Sequence, residues 1–129
     1  MDKNKEIRRA KIINYIVLFT ILLIVAFICF GLLYNKYNHA FTTSKWMEDP
    51  SKRVYIVDNL LSKYNLENMT ENEILELLGP DSGEKAYFQE DDNFVYYLGN
   101  ERSFFSIDSE WLIIDFKDGR VTNYEVRTD

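Results

Sequence analysis

The sequence predicts an α+β chain: an N-terminal transmembrane helix followed by a small domain of two helices packed on a three- to four-stranded antiparallel sheet. Three observations predict it. Ile12 to Tyr34 (IINYIVLFTILLIVAFICFGLLY) is a run of 23 residues without a charge. Beyond it, apolar residues first recur at helical spacing, and after Asp81-Ser82-Gly83 the period shortens to two. Helices and strands that fall in separate blocks pack as layers, with the helices on one face of the sheet.

At about 1.5 Å per residue the apolar run makes a helix of about 34 Å, enough to cross a hydrocarbon core of about 30 Å. In lipid the backbone satisfies its own hydrogen bonds as a helix, so the many Ile, Val and Phe residues do not argue for a strand. Lys3, Lys5, Arg8, Arg9 and Lys11 precede the run, whereas only Lys36 and Lys45 follow closely. The positive-inside rule therefore expects a cytoplasmic arm over 1–11, a single span over 12–34 and residues 35–129 outside the cell membrane. A cleaved signal peptide would have a shorter apolar core and a small-x-small exit, and none surrounds Phe30-Gly31-Leu32. Cys29 follows Ala26-Phe27-Ile28 deep in the run, and bulky Ile28 disfavours a lipidation signal. Cys29 reads as a small apolar residue of the span.

Ninety-five residues follow the span, the size of one small domain. The net charge of −6 is divided unevenly: the first 34 residues sum to +3 and the rest to −9. An acidic exterior argues against nucleic acid as a partner and against lying flat on anionic lipid. With no cysteine beyond Cys29, the domain must stand on an apolar core without disulfides.

Residues 35–45 (NKYNHAFTTSK) are polar and lack apolar periodicity, which predicts a linker, with Tyr34 and Tyr37 as candidate headgroup anchors. The domain is expected over 46–129. Asp49-Pro50 can open a helix, Asp as cap and Pro in the first turn. Val54, Val57, Leu60 or Leu61 and Tyr64 then follow at helical spacing, predicting about 15 residues of amphipathic helix. Thr70-Glu71-Asn72-Glu73 is a capping box. The short helix behind it turns Ile74, Leu75, Leu77 and Leu78 inward and stops at Gly79-Pro80.

Ala86-Tyr87-Phe88-Gln89 and Phe94-Val95-Tyr96-Tyr97-Leu98 read as a hairpin closed by Glu90-Asp91-Asp92-Asn93. Those acids lack the alternating ligands, central glycine and twelfth-position Glu of a calcium loop. Trp111–Phe116 and Val121–Val126 form the clearest hairpin, because Asp118-Gly119 favours the type I′ turn. That turn would set Phe116 against Val121, Ile114 against Asn123 and Leu112 against Glu125, leaving Trp111, Ile113, Tyr124 and Val126 on the other face. A first strand apolar on both faces is central, or meets something on its outer face. Gly99–Asp108 (GNERSFFSID) is a loop carrying Phe104 and Phe105. As an exposed pair they would make a contact surface, although Phe105 is expected to plug the core edge. Phe104, Phe105, Trp111, Ile113 and Tyr124 are thus the candidate protein-contact residues.

Asn68-Met69-Thr70-Glu71-Asn72-Glu73-Ile74 running into Leu77-Leu78-Gly79-Pro80-Asp81 resembles the "G-M-T-x-x-x-V/I … L-G-x-P" segment of the SmpA/OmlA-type small envelope lipoproteins. Leu112–Phe116 with Gly119–Asn123 is similar to that family's final hairpin, and the resemblance covers about residues 66 to 126. Asn68 stands where the family usually has Gly, and an apolar span replaces the lipidated Cys. The resemblance implies a fold shared with β-lactamase-inhibitor-protein-like domains, and a non-catalytic domain that binds another protein.

The residue inventory points the same way. His39 is the only histidine and Cys29 the only cysteine, so Ser–His–Asp and Cys–His arrangements and a histidine-ligated zinc site are excluded from the domain. Asp108, Glu110 and Asp115 are the only argument for a hydrolase of the carboxylate-pair kind, and such acids are ordinarily surface charge. The glycines are scattered as turn and cap residues, not gathered in a phosphate loop. No cofactor or metal is expected. The expected function is a membrane-anchored accessory or assembly factor that binds an envelope or extracellular protein. The alternative is an anchored inhibitor or sensor domain that captures a soluble protein or ligand.

Overall fold

The computed structural model describes residues 2–129 and consists of a long helix followed by an α+β unit over Asn38–Asp129. The helix, α1 (Lys3–His39), has no buried residue and is long and apolar enough to cross a membrane. Its one central hydroxyl is satisfied within the helix, Thr20 donating to the Ile16 carbonyl at 2.8 Å, as a lipid environment requires.

Residues 35–45 are not the polar linker that their composition predicts. Residues 35–39 continue α1, and Thr43–Glu48 forms α2, capped by Thr42, which accepts from the Lys45 N–H at 3.2 Å. Phe41 and Trp46 are buried and meet edge to face at 5.9 Å. The Phe41 N–H donates to the Asn59 side chain at 2.7 Å. A six-residue helix is too short to display a period, so one buried aromatic on either side of its cap left no pattern to read.

The 15-residue helix expected after Asp49 is two pieces, a 3-10 helix (Pro50–Tyr55) and α3 (Val57–Lys63). Val54, Val57 and Leu60 are buried as their spacing predicts, but so is Ile56. On a continuous α-helix residues 54 and 56 lie about 200° apart. Breaking the helix at Ile56 lets both turn inward. α4 (Glu71–Leu78) carries its capping box intact: Thr70 accepts from the Glu73 N–H at 3.2 Å and donates its own N–H to the Glu73 carboxylate at 2.7 Å. Ile74 and Leu78 are buried, whereas Leu75, expected on the inner face, is exposed.

Three strands, β1 (Asn93–Asn100), β2 (Ser109–Lys117) and β3 (Arg120–Thr128), form an antiparallel meander with β2 in the centre. The core of the unit lies between one sheet face and the helices, where Tyr96, Leu98, Leu112 and Ile114 meet Trp46, Leu60, Leu66, Ile74 and Leu78. The Tyr96 hydroxyl donates to the Gly79 carbonyl at 2.9 Å, and burial pushes its pKa upward. Gly99, at φ +122°, is required by close approach, because a Cβ there would overlap the Ser51 carbonyl oxygen.

The Asp118-Gly119 turn has the two positive φ angles that type I′ demands, 53° and 74°. Phe116 faces Val121 as expected, but Asp115 then faces Asn123, so Thr122 is an extra residue on β3. The bulge moves every later residue by one position. Ile114 therefore pairs with Tyr124, not Asn123, and Leu112 with Val126, not Glu125.

Ala86–Gln89 is not a strand. Its backbone bonds are local, Ala86 N–H to the Gly83 carbonyl at 2.9 Å and Gln89 N–H to the Ala86 carbonyl at 3.2 Å. Asn93 locks the turn, accepting from the Glu90 N–H and donating to the Phe88 carbonyl at 2.9 and 3.0 Å. The β-forming residues serve as a cover: Ala86 and Phe88 lie on Val95, Ile113 and Trp111, over the sheet face away from the helices.

Candidate functional site

The five candidate contact residues fall in three places. Ile113 is 4% exposed, in the small cluster with Ala86 and Val95, so its side chain is covered within the chain. Trp111 is half-buried on the same face, its ring 5.3 Å from that of Tyr97 and its Nε1–H donating to Asp129 at 2.9 Å. That bond and the backbone N–H of Ser109 hold the Asp129 carboxyl below its ordinary pKa, the backbone bond being the larger cause. Tyr124 lies on the opposite face, half-buried against the main core, because of the bulge at Thr122.

Phe104 and Phe105 stay together and stand out. They are 94% and 74% exposed, their rings edge to face at 5.0 Å, and Ile107 beside them is 86% exposed. Phe105 does not plug the core. Ile107 was not among the candidates, yet its signal was present, since an isoleucine between Ser106 and Asp108 belongs to neither strand pattern.

The loop bearing this apolar tip is fastened at its base. The Glu101 N–H donates to the Asp108 carbonyl at 3.0 Å, closing the neck. Arg102 sits across the neck, donating through Nε and Nη2 to the Glu110 carboxylate at 3.1 and 2.9 Å and through Nη1 to Asp58 at 2.6 Å. Its own backbone N–H also reaches Glu110, at 2.8 Å. Glu110 is buried, and its hydrogen bonds raise the Arg102 pKa against the opposing effect of burial. A two-pronged arginine–carboxylate pair fixes direction as well as distance. The Ser103 hydroxyl adds a bond to the Phe105 carbonyl at 2.7 Å, which closes the chain locally at the tip. The tip is thus held out on a built base.

Among the described residues, a depression of about 150 Å³ lies on the covered sheet face, lined in part by Glu90, Asp115, Glu125 and Arg127. That is below the few hundred Å³ of an ordinary ligand pocket. Among the described residues no three His, Cys, Asp or Glu side chains are placed to hold a metal ion. Glu90, Asp91 and Asp92 lie in the turn ahead of β1, with Glu90 tied through its backbone to Asn93.

No family model, no curated protein and no solved structure matches this chain. The geometry defines a class only: an α+β unit that follows an apolar helix and presents one anchored apolar loop.

Proposed function

We propose that this protein is a single-pass, membrane-anchored, non-catalytic domain that binds another protein, as an accessory or assembly factor of the cell envelope. The observation that carries the reading is the Phe104–Phe105–Ile107 tip, three large apolar side chains in water above a base fixed by Arg102, Glu110 and Asp58. Exposed apolar groups on a rigid mount lose little conformational freedom on docking, which is how a small surface becomes a specific one. The basic arm ahead of the span supports a cytoplasmic N-terminus, with the acidic unit outside. The absence of any histidine or cysteine after His39 supports a binding role over catalysis. The resemblance of residues 66–126 to SmpA/OmlA-type domains supports an envelope partner.

The test pairs two changes in cells that depend on the protein. Phe104→Ser with Phe105→Ser and Ile107→Ser should abolish function at unchanged protein level, while replacing residues 1–34 with an unrelated single-pass anchor should also impair it if the span contributes to docking on the envelope partner. Full activity of the loop variant overturns the reading. Loss with the loop variant and full activity with the exchanged anchor moves it to the inhibitor or sensor kind, for which α1 is a tether alone.

A further inference from the structure

The two edges of the sheet are finished differently. The outer edge of β1 is closed: the Ser82 N–H donates to the Val95 carbonyl at 2.7 Å, the Ser82 hydroxyl accepts from the Tyr97 N–H at 2.8 Å, and the Arg53 guanidinium bonds the Tyr97 carbonyl at 3.2 Å. The outer edge of β3 is closed only at its start, where Val121 exchanges bonds with Asn68 and Met69 at 3.0 and 2.9 Å. Asp129 N–H bonds the Ser109 carbonyl, and Phe116 N–H turns toward the β1 side to bond the Asp92 carbonyl. Those two bonds fix the phase of the ladder. Asn123, Glu125 and Arg127 face β2, whereas Tyr124, Val126 and Thr128 aim their backbone groups outward. Among the described residues no hydrogen bond reaches those outward groups. Tyr124–Thr128 contains no proline and no bulge, two of the devices that blunt an edge, and its charges come as one opposite pair, Glu125 and Arg127.

We propose that this edge pairs with the same edge of a second copy of the chain, antiparallel about a two-fold axis at Val126, making one continuous six-stranded sheet. The side chains choose the partner and the register. With Val126 opposite itself, Glu125 of each copy lies directly across from Arg127 of the other, on the face where the two strands come closest. An axis at Glu125 or at Arg127 would set like charges against each other, and one at Tyr124 would set Arg127 against Val121, whose outward groups are already bonded to Asn68 and Met69. On the other face, half-buried Tyr124 and Val126 gain Thr128 and Val126 of the second copy as cover. Within one copy Glu125 and Arg127 reach each other only at 3.8 Å, and the Arg127 guanidinium is held in place 4.5 Å over the Phe88 ring. The pair is positioned for a facing strand.

The full-length chain in detergent micelles, followed by sedimentation equilibrium, tests this directly. The wild type is expected to be dimeric. Glu125→Arg and Arg127→Glu should each weaken association about tenfold or more, because each places two like-charged pairs across the seam. The combined Glu125→Arg, Arg127→Glu chain should recover to within about threefold of the wild type. Val126→Pro, which removes an outward N–H and leaves the β2 ladder intact, should give monomer with an unchanged far-UV spectrum. A wild type that is monomeric, a dimer indifferent to all of these changes, or an exchanged pair no better than the single variants overturns the proposal.

Discussion

Two irregular segments flank β1, and they treat their aromatic residues in opposite ways. Residues 81–92 lay Ala86 and Phe88 onto the sheet face and leave only Tyr87 outward, whereas residues 101–108 lift Phe104, Phe105 and Ile107 clear of it. Composition does not explain the difference, since both are short, net acidic and carry one adjacent aromatic pair, Tyr87-Phe88 and Phe104-Phe105. Anchorage does. The first segment is tied along the β1 edge by Asp81 and Ser82 and bonded to itself through Gly83, Ala86 and Asn93, which draws it over the sheet face. The second is fixed at its neck by a charged clamp to Glu110 and Asp58, which holds the middle of the loop away from the core. An apolar residue is exposed here because polar residues a few positions away decide where the chain goes.

Substitutions on either side of β1 test this difference. Gly99→Ala should have the largest effect, about 3 kcal/mol or more by chemical denaturation, because β1 and the Ser51 carbonyl must part at the point where the second segment begins. Ile113→Ala should cost about 2–4 kcal/mol, since it opens a cavity under Ala86 and Phe88. Glu110→Ala should cost about 1–3 kcal/mol and in addition raise hydrogen exchange over 101–108 but not over 81–92, as the clamp on Arg102 is lost. Phe104→Ala should change stability by less than about 0.5 kcal/mol, as expected of a side chain that packs on almost nothing. The smallest effect is at acid pH. The depressed pKa of Asp129 means that its bonds to Ser109 and Trp111 stabilise the fold above the ordinary carboxylate value of 3.8 and are lost as pH falls through the lower folded value. Trp111 fluorescence should report that step, and Asp129→Asn should remove it.

How much of this could be read in advance depended on range. The apolar run, the Thr70–Glu73 box and the Asp118-Gly119 turn are local, and each appears where its residues place it. The central position of β2 followed from its two apolar faces. The Thr122 bulge did not, because a two-residue turn and a strict alternation gave no sign of the extra residue, and Tyr124 changed faces as a result. Ala86–Gln89 has the composition of a strand, but the β1 edge it would have paired with is taken by Asp81, Ser82 and Arg53. The clamp joins Asp58, Arg102 and Glu110, 44 and 8 residues apart, and no short-range pattern connects them. Phe104 and Phe105 were recognisable as a pair; that both would be exposed depended on that clamp.

On the proposed function, residues 101–108, and not 81–92, form the surface another protein meets. A photo-crosslinking side chain placed at Phe104 in one strain and at Phe88 in another, with irradiation of intact cells, measures it most directly. A discrete protein adduct is expected from position 104, disappearing when Phe105 and Ile107 are changed to Ser, with only intramolecular product from position 88. Adducts to lipid alone from position 104, or the same protein adduct from both positions, would contradict it.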